Sequence, residues 1–126
     1  RVRACSLCRP VPIGCGAVIS APSAHARSLD LATEFVSELA TRNTSREAPL
    51  RIFDVGSGSG YLTACLALLA HSSFERYSVV GLESEIALID AARAAVRAAA
   101  LRLASISALN GDLARGEWAR RLLAPA

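Results

Sequence analysis

The stretch Ile52-Phe53-Asp54-Val55-Gly56-Ser57-Gly58-Ser59-Gly60-Tyr61 constrains this chain more than any other. A short apolar strand runs into an acidic residue and then into glycines at alternate positions. Leu62 to Ala70 then reads as a helix. Strand, glycine loop and helix are the opening of a nucleotide-type site on an α/β sheet. Each glycine removes a Cβ where the backbone must turn tightly or lie against a ligand. Glycines at 56, 58 and 60 together favour ligand binding over turn chemistry alone.

The surrounding pattern extends that unit into a fold. Ser23 starts a helix to about Thr41, with Leu29, Ala32, Phe35, Val36 and Leu39 at helical spacing and Asp30, Glu34 and Glu38 on other faces. Leu50–Val55 is the first clear strand, Tyr77–Leu82 the second and Ser105–Leu109 the third. Helices are expected from Tyr61 to about His71, over Ile86–Leu103 and over Leu113–Leu123, which carries Trp118. Strands separated by helices of this length form a parallel sheet through crossovers. The expectation is α/β: a Rossmann-like sheet of which only the N-terminal half is present. Residues 1–126 then form one partial domain. Within it, 1–16 is an irregular segment holding Pro10, Pro12, Gly14 and Gly16. Residues 17–49 carry a short extended piece ending at Ala21-Pro22 and the first helix. Residues 50–126 form a βαβαβ half.

Composition narrows the function classes. The chain has 126 residues, is 52% hydrophobic and carries a net charge of +3, which is globular rather than disordered. Every basic residue is arginine, and these are scattered with no aromatic interleaving, so nucleic-acid binding is not expected. No apolar run is long enough to span a bilayer, and the prolines and glycines near the start break any secretory signal. A cytoplasmic, monomeric protein is expected. The first residue is Arg1 and methionine is absent, so the chain is expected to be a fragment or a processed product. Cys5-Ser6-Leu7-Cys8 is a lone C-x-x-C. Cys15 and His25 would complete a zinc set poorly, so no metal site is expected and unpaired thiols are the reading. Cys65, on the helix after the glycine loop, is expected to be buried.

Ligands of such sheets bind beyond the carboxyl ends of the strands. Three ends are readable: Asp54 to Gly60, Glu83 after Val79-Val80-Gly81-Leu82, and Gly111-Asp112 after the third strand. An acid closing the second strand, roughly 20 residues past the loop, can accept both hydroxyls of a ribose. The dinucleotide fingerprint needs a further glycine where Tyr61 stands, so a hydride-transfer cofactor becomes the runner-up. S-adenosylmethionine, with an adenosine and a zwitterionic tail but no pyrophosphate, fits better. By themselves, His25 reads as a surface or satisfied core histidine and Ser20 as a loop serine or helix cap.

Two segments together change that reading. Pro12-Ile13-Gly14-Cys15-Gly16-Ala17-Val18-Ile19-Ser20-Ala21-Pro22-Ser23-Ala24-His25-Ala26 resembles the P-I-G-x-x-A-T-I-S-A-P-H-M-H-A stretch of protein-L-isoaspartate O-methyltransferases. Asp54 to Ala64 looks like that family's cofactor loop, and the residues at 79–83 and 111–112 fall where the family has equivalents. The resemblance implies transfer of a methyl group from S-adenosylmethionine to the α-carboxyl of L-isoaspartyl residues in damaged proteins, leaving S-adenosylhomocysteine. It implies that Ser20 hydrogen-bonds the substrate carboxylate as the catalytic residue. Ala17, Val18, Ile19 and His25 would line the cofactor and substrate side. Asp54, Gly56, Ser57, Gly58, Ser59 and Gly60 would form the cofactor loop, with Ser59 and the glycines on the methionine part. Glu83 and Ser84 would hold the ribose, and Gly111 and Asp112 would lie against adenine. Ser23 and Ala24 depart from the family's His and Met. The family also continues past this chain's last residue with another strand and the C-terminal half of the sheet. The resemblance therefore implies an unpaired edge on the first strand and little turnover by the 126-residue chain alone. A non-catalytic fragment binding cofactor or a partner, and a methyltransferase of another class, are the alternatives.

Overall fold

The computed structural model describes residues 9–42 and 49–110. Its elements run β1 (Val11–Gly14), β2 (Ala17–Ile19), α1 (Pro22–Arg42), β3 (Leu50–Val55), α2 (Tyr61–Ser73), β4 (Tyr77–Leu82) and α3 (Ile86–Asn110). The architecture is α/β, a parallel sheet with helices against it, as a Rossmann-like methyltransferase half requires. The strand Leu50–Val55, the strand Tyr77–Leu82 and the helix beginning at Tyr61 lie where the hydrophobic pattern puts them.

The segment 11–14 is not irregular. β1 and β2 form an antiparallel ribbon with Val11 opposite Ile19 and Pro12 opposite Val18. Proline is tolerated here because a two-stranded ribbon consists only of edge strands. The turn is Gly14-Cys15-Gly16, with φ of 102°, 52° and 71° in succession. A ribbon this tight needs glycine on both sides of the one residue that carries a side chain.

β2 hands over directly to α1. Pro22 occupies the first helical position, where a missing N–H costs nothing. The Ala21 carbonyl accepts the first turn's bonds from the Ala24 and His25 amides, at 2.9 and 3.3 Å.

β3 and β4 are parallel and in register from Leu50 opposite Tyr77 to Val55 opposite Leu82. Side chains alternate across the pair. Leu50 and Ile52 from β3, with Tyr77 and Val79 from β4, join Val36 and Leu39 of α1 and Leu69 and Ala70 of α2 in the core. Arg51, Phe53 and Val55 face the other way and are exposed, as are Val80 and Leu82. The helices thus cover one face of the sheet among the described residues.

The expected third strand at 105–109 is helix instead, because α3 runs on to Asn110. From Ile86 through Leu109 the sequence holds neither glycine nor proline and is rich in alanine, leucine and arginine. Nothing local stops a helix there, and propensity favours its continuing. The expected helix over 113–123 and the loop residues 43–48 lie outside the described residues, as do Cys5 and Cys8. Cys65 is half-buried rather than buried, and Cys15 is exposed.

Candidate functional site

The glycine loop leaves β3 and is tied at once to the end of β4. The Gly56 and Ser57 amides both donate to the Leu82 carbonyl, at 2.8 and 3.1 Å. The Gly60 amide closes the turn onto the Ser57 carbonyl at 2.8 Å. Gly56, Gly58 and Gly60 all have positive φ. Gly60 then caps α2 in a left-handed conformation. It is also pressed against α3: a Cβ there would lie 3.1 Å from Val96 Cγ2 and 3.2 Å from Ala92 Cβ.

Two carboxylates hold this loop from opposite sides. Asp54 is buried at 9% exposure, and its Oδ2 accepts the Thr63 hydroxyl at 2.5 Å. The bond joins the end of β3 to the first turn of α2 and gives a partner to an acid that would be costly to bury alone. Glu83 Oε2 accepts the Gly58 amide at 3.0 Å. Its Oε1 accepts the Ser84 amide at 2.7 Å, the Ser84 hydroxyl at 3.2 Å and the Glu85 amide at 3.3 Å. The Gly58 N–H, followed by the Ser84 and Glu85 N–H groups, holds the Glu83 carboxyl below its ordinary range, against a small opposing cost of burial. Oε1 is fully engaged by three donors, whereas Oε2 has one and, with about two acceptor positions per carboxylate oxygen, keeps room for a ligand hydroxyl.

Two concave spaces flank the loop. One, of about 190 Å³, brings together Ile13, Val18 and Ile19 of the ribbon, Ser20 just after it, Ala24, His25 and Ser28 of α1, and residues 54–59 and Leu62. The other, of about 710 Å³, lies along β4 and α3. It reaches Ser57, Gly60, Gly81 and Glu83 on one side and Ile89, Ala92, Arg93, Val96 and Arg97 on the other. Ser57 borders both. The fold therefore brings Ser20, Val18, Ile19, His25 and the loop residues Asp54 to Ser59 to one cavity, although more than thirty residues separate Ser20 from Asp54 in sequence. Ala17 pairs with Gly14 in the ribbon and is not part of that lining. Gly60, Glu83 and Ser84 sit around the loop's other end. Gly111 and Asp112 lie outside the described residues.

Several residues of this site escape a motif search. Gly81 is one: a Cβ there would meet Ser57 Cβ at 2.8 Å, Ser57 Oγ at 2.9 Å and Thr63 Oγ1 at 3.0 Å. A glycine inside a strand pattern is the sequence signal for such close approach. Ile13 is another, since its Cδ1 would lie 3.2 Å from a Cβ on Gly58, which locks the ribbon onto the loop. Thr63 carries no sequence signal of its own. Tyr61 rests edge-on against His25, with ring centroids 5.1 Å apart.

The site can do three things chemically. It can accept a ribose hydroxyl at Glu83. It can hold a polar tail against the loop. It can present a hydroxyl, Ser20, across a small cavity from that loop. Among the described residues nothing supplies a pyrophosphate cradle, because Tyr61 stands where the dinucleotide pattern requires glycine and the Gly58 amide is already given to Glu83.

Comparison with known proteins agrees with this arrangement. The profile of the protein-L-isoaspartate(D-aspartate) O-methyltransferase family matches residues 7–121. Protein-L-isoaspartate O-methyltransferase 2 of Arabidopsis thaliana is 36% identical over 111 residues, covering 85% of this chain and 32% of its own length. A Triticum aestivum protein-L-isoaspartate O-methyltransferase is 43% identical over 60 residues, 48% of this chain and 22% of the relative. The Anaeromyxobacter dehalogenans (strain 2CP-C) protein-L-isoaspartate O-methyltransferase is 34% identical over 111 residues, 88% of this chain and 42% of the relative. The chain thus spans less than half the length of these relatives. On the family match over nearly its whole length, and on a ribbon and glycine loop that meet at one cavity, this chain belongs to the protein-L-isoaspartate(D-aspartate) O-methyltransferase family.

Proposed function

We propose that this chain builds the S-adenosylmethionine site of an enzyme that methylates the α-carboxyl of L-isoaspartyl residues in damaged proteins. The observation that carries the reading is the shared cavity of Ser20 and the glycine loop, two segments joined only by the fold. The residues present fit that cofactor. Glu83, held by three N–H groups, suits a ribose hydroxyl, and Gly56, Ser57, Gly58 and Ser59 suit the methionine part. The wider space along β4 and α3 has apolar walls suited to an adenine ring.

When bound, S-adenosylmethionine supplies a sulfonium methyl that a carboxylate oxygen takes as the carbon–sulfur bond breaks toward sulfur, leaving a methyl ester and S-adenosylhomocysteine. The chain's own residues need not move a proton for this. A free carboxyl titrates near pH 3.5–4, about three units below neutrality, so the acceptor arrives ionised. Ser20 orients it by donating its hydroxyl to one carboxylate oxygen and leaving the other to react. The loop and Glu83 fix the donor side. Orientation of two bound partners is worth up to about 7–11 kcal/mol in well-aligned systems, and this site contributes chiefly in that way.

Calorimetry with S-adenosylhomocysteine and with NAD tests the cofactor. Binding of S-adenosylhomocysteine in preference to NAD is expected. Tight binding of NAD alone overturns the reading in favour of hydride transfer.

A further inference from the structure

Thr63 spends its hydroxyl differently from the other helical hydroxyls. Ser28, Thr33, Thr41 and Ser72 each donate back to a carbonyl of their own helix, at 2.7–3.0 Å. That is the usual local bond for serine and threonine inside a helix. Thr63, in the first turn of α2, donates instead to a different element: its partner is Asp54 Oδ2 at the end of β3, at 2.5 Å. The neighbouring strand leaves room for this. Asp54 pairs in register with Gly81 of β4, and a Cβ on Gly81 would stand 3.0 Å from Thr63 Oγ1. A side chain at position 81 would push the hydroxyl off the carboxylate. Asp54, Thr63 and Gly81 are thus one unit contributed by three elements.

What the unit presents indicates its use. Asp54 is buried, yet it lines the smaller of the two cavities. With Oδ2 given to Thr63, Oδ1 has no partner among the described residues. No arginine lines that cavity. A carboxylate at this depth with one oxygen unpartnered is costly to keep, and a ligand cation that meets it recovers the cost. The last torsion of an aspartate side chain is broad and roughly two-fold. Among the described residues, the Thr63 bond is therefore what decides which oxygen faces the cavity. Thr63 borders the wider space and not the smaller cavity, so it acts on a ligand in the smaller one through Asp54. We infer that Thr63 is a positioning residue: its hydroxyl fixes Asp54 Oδ2 so that Oδ1 stays aimed at the amino group of a ligand's amino-acid tail. This role rests on the cofactor reading above and adds to it a residue that does not touch the tail.

The test compares the chain with Thr63→Val, which keeps the shape and loses the hydroxyl, with Thr63→Ala, and with Thr63→Ser, which keeps the hydroxyl. Calorimetry uses two probes. One is S-adenosylhomocysteine. The other is the same adenosine thioether with a carboxypropyl tail, which retains the carboxylate and lacks the amino group. The original chain should prefer S-adenosylhomocysteine. Thr63→Val and Thr63→Ala should lose about tenfold in affinity for it, as for one misdirected charge-assisted bond, and bind the carboxypropyl probe as before. Thr63→Ser should keep the preference. With aspartate labelled at its carboxyl carbon, the Asp54 resonance of the original chain should move with S-adenosylhomocysteine and stay still with the carboxypropyl probe. Asp30, exposed on α1, serves as the reference. Equal loss for both probes in Thr63→Val overturns the role, because it marks a disturbed loop rather than a misdirected carboxylate. An unchanged preference in Thr63→Val, or no preference in the original chain, overturns it too and leaves the cofactor reading standing. Loss of folding in Thr63→Val and Thr63→Ala while Thr63→Ser folds also overturns it, since the hydroxyl then serves the fold alone. Failure of S-adenosylhomocysteine to bind the original chain overturns both readings.

Discussion

Gly81 shows how finely single atoms set this site. Its missing Cβ is the space into which Ser57 and Thr63 fit, with distances of 2.8–3.0 Å to a Cβ built there. Gly81→Ala must push the loop away from β4. A cost of about 1–3 kcal/mol is expected from such overpacking. Affinity for S-adenosylhomocysteine should fall further than for a distant surface change, which thermal unfolding and calorimetry together will read. Glu83 gives a pH-dependent counterpart. Its folded value lies below the ordinary 4.5, so its contribution to the loop is complete above that pH and is lost as pH falls through the folded value. Hydrogen exchange at the Gly58 amide should rise in that acid window, and Glu83→Gln should abolish the step. An identical profile in both proteins would contradict the assigned bond. Ser20→Ala, in an enzyme completed by the rest of the family's fold, should depress turnover at least about tenfold and leave cofactor affinity unchanged, as expected of one lost orienting hydrogen bond to a charged group. Equal turnover would remove Ser20 from its role. At this scale the places of the loop glycines and of Glu83 at the ends of β3 and β4 were readable, because the strand pattern stops at each of them. The sequence was silent for Thr63, whose importance comes from a partner, Asp54, brought close by folding.

At the scale of elements, periodicity located β3, β4, α1 and the start of α2, because each is bounded by a residue that cannot continue it. Pro22 opens α1, and Gly56 ends β3. The ribbon over 11–19 was hidden for the converse reason. Its prolines and glycines read as breakers, yet two edge strands and a turn with three positive φ values are where such residues belong. Ser105 to Leu109 failed differently. Apolar and small residues in a short run are compatible with either period, and the neighbouring helix, uninterrupted from Ile86, carries through. Contact between elements is testable at Gly60. Its φ of 74° and the nearness of Val96 and Ala92 mean that Gly60→Ala strains the cap and separates α2 from α3 together. A loss of about 1–3 kcal/mol is expected, and adding Val96→Ala should recover part of it by opening the space the new methyl needs. Lack of any recovery would place the damage in the backbone conformation alone.

For the molecule as a whole, the described residues form one covered and one open side. Val36, Leu50 and Ala70 anchor the covered side, while Phe53 and Val55 remain 63% and 79% exposed on the other. A core confined to one face makes each of its members count. Leu66→Ala, at a position only 8% exposed, should cost about 2–5 kcal/mol, a large part of the stability of a domain this size. What the fold achieves with that core is the meeting of ribbon, loop and the end of β3 around one cavity. The most direct test of this claim is a titration of the chain, labelled on glycine, with S-adenosylhomocysteine while backbone amide resonances are followed. Gly56, Gly58, Gly60 and Gly81 should shift together and saturate at one ligand per chain, with Gly14 at the far turn of the ribbon unmoved. Shifts that spare the loop glycines, or that spread evenly over every glycine, would contradict it.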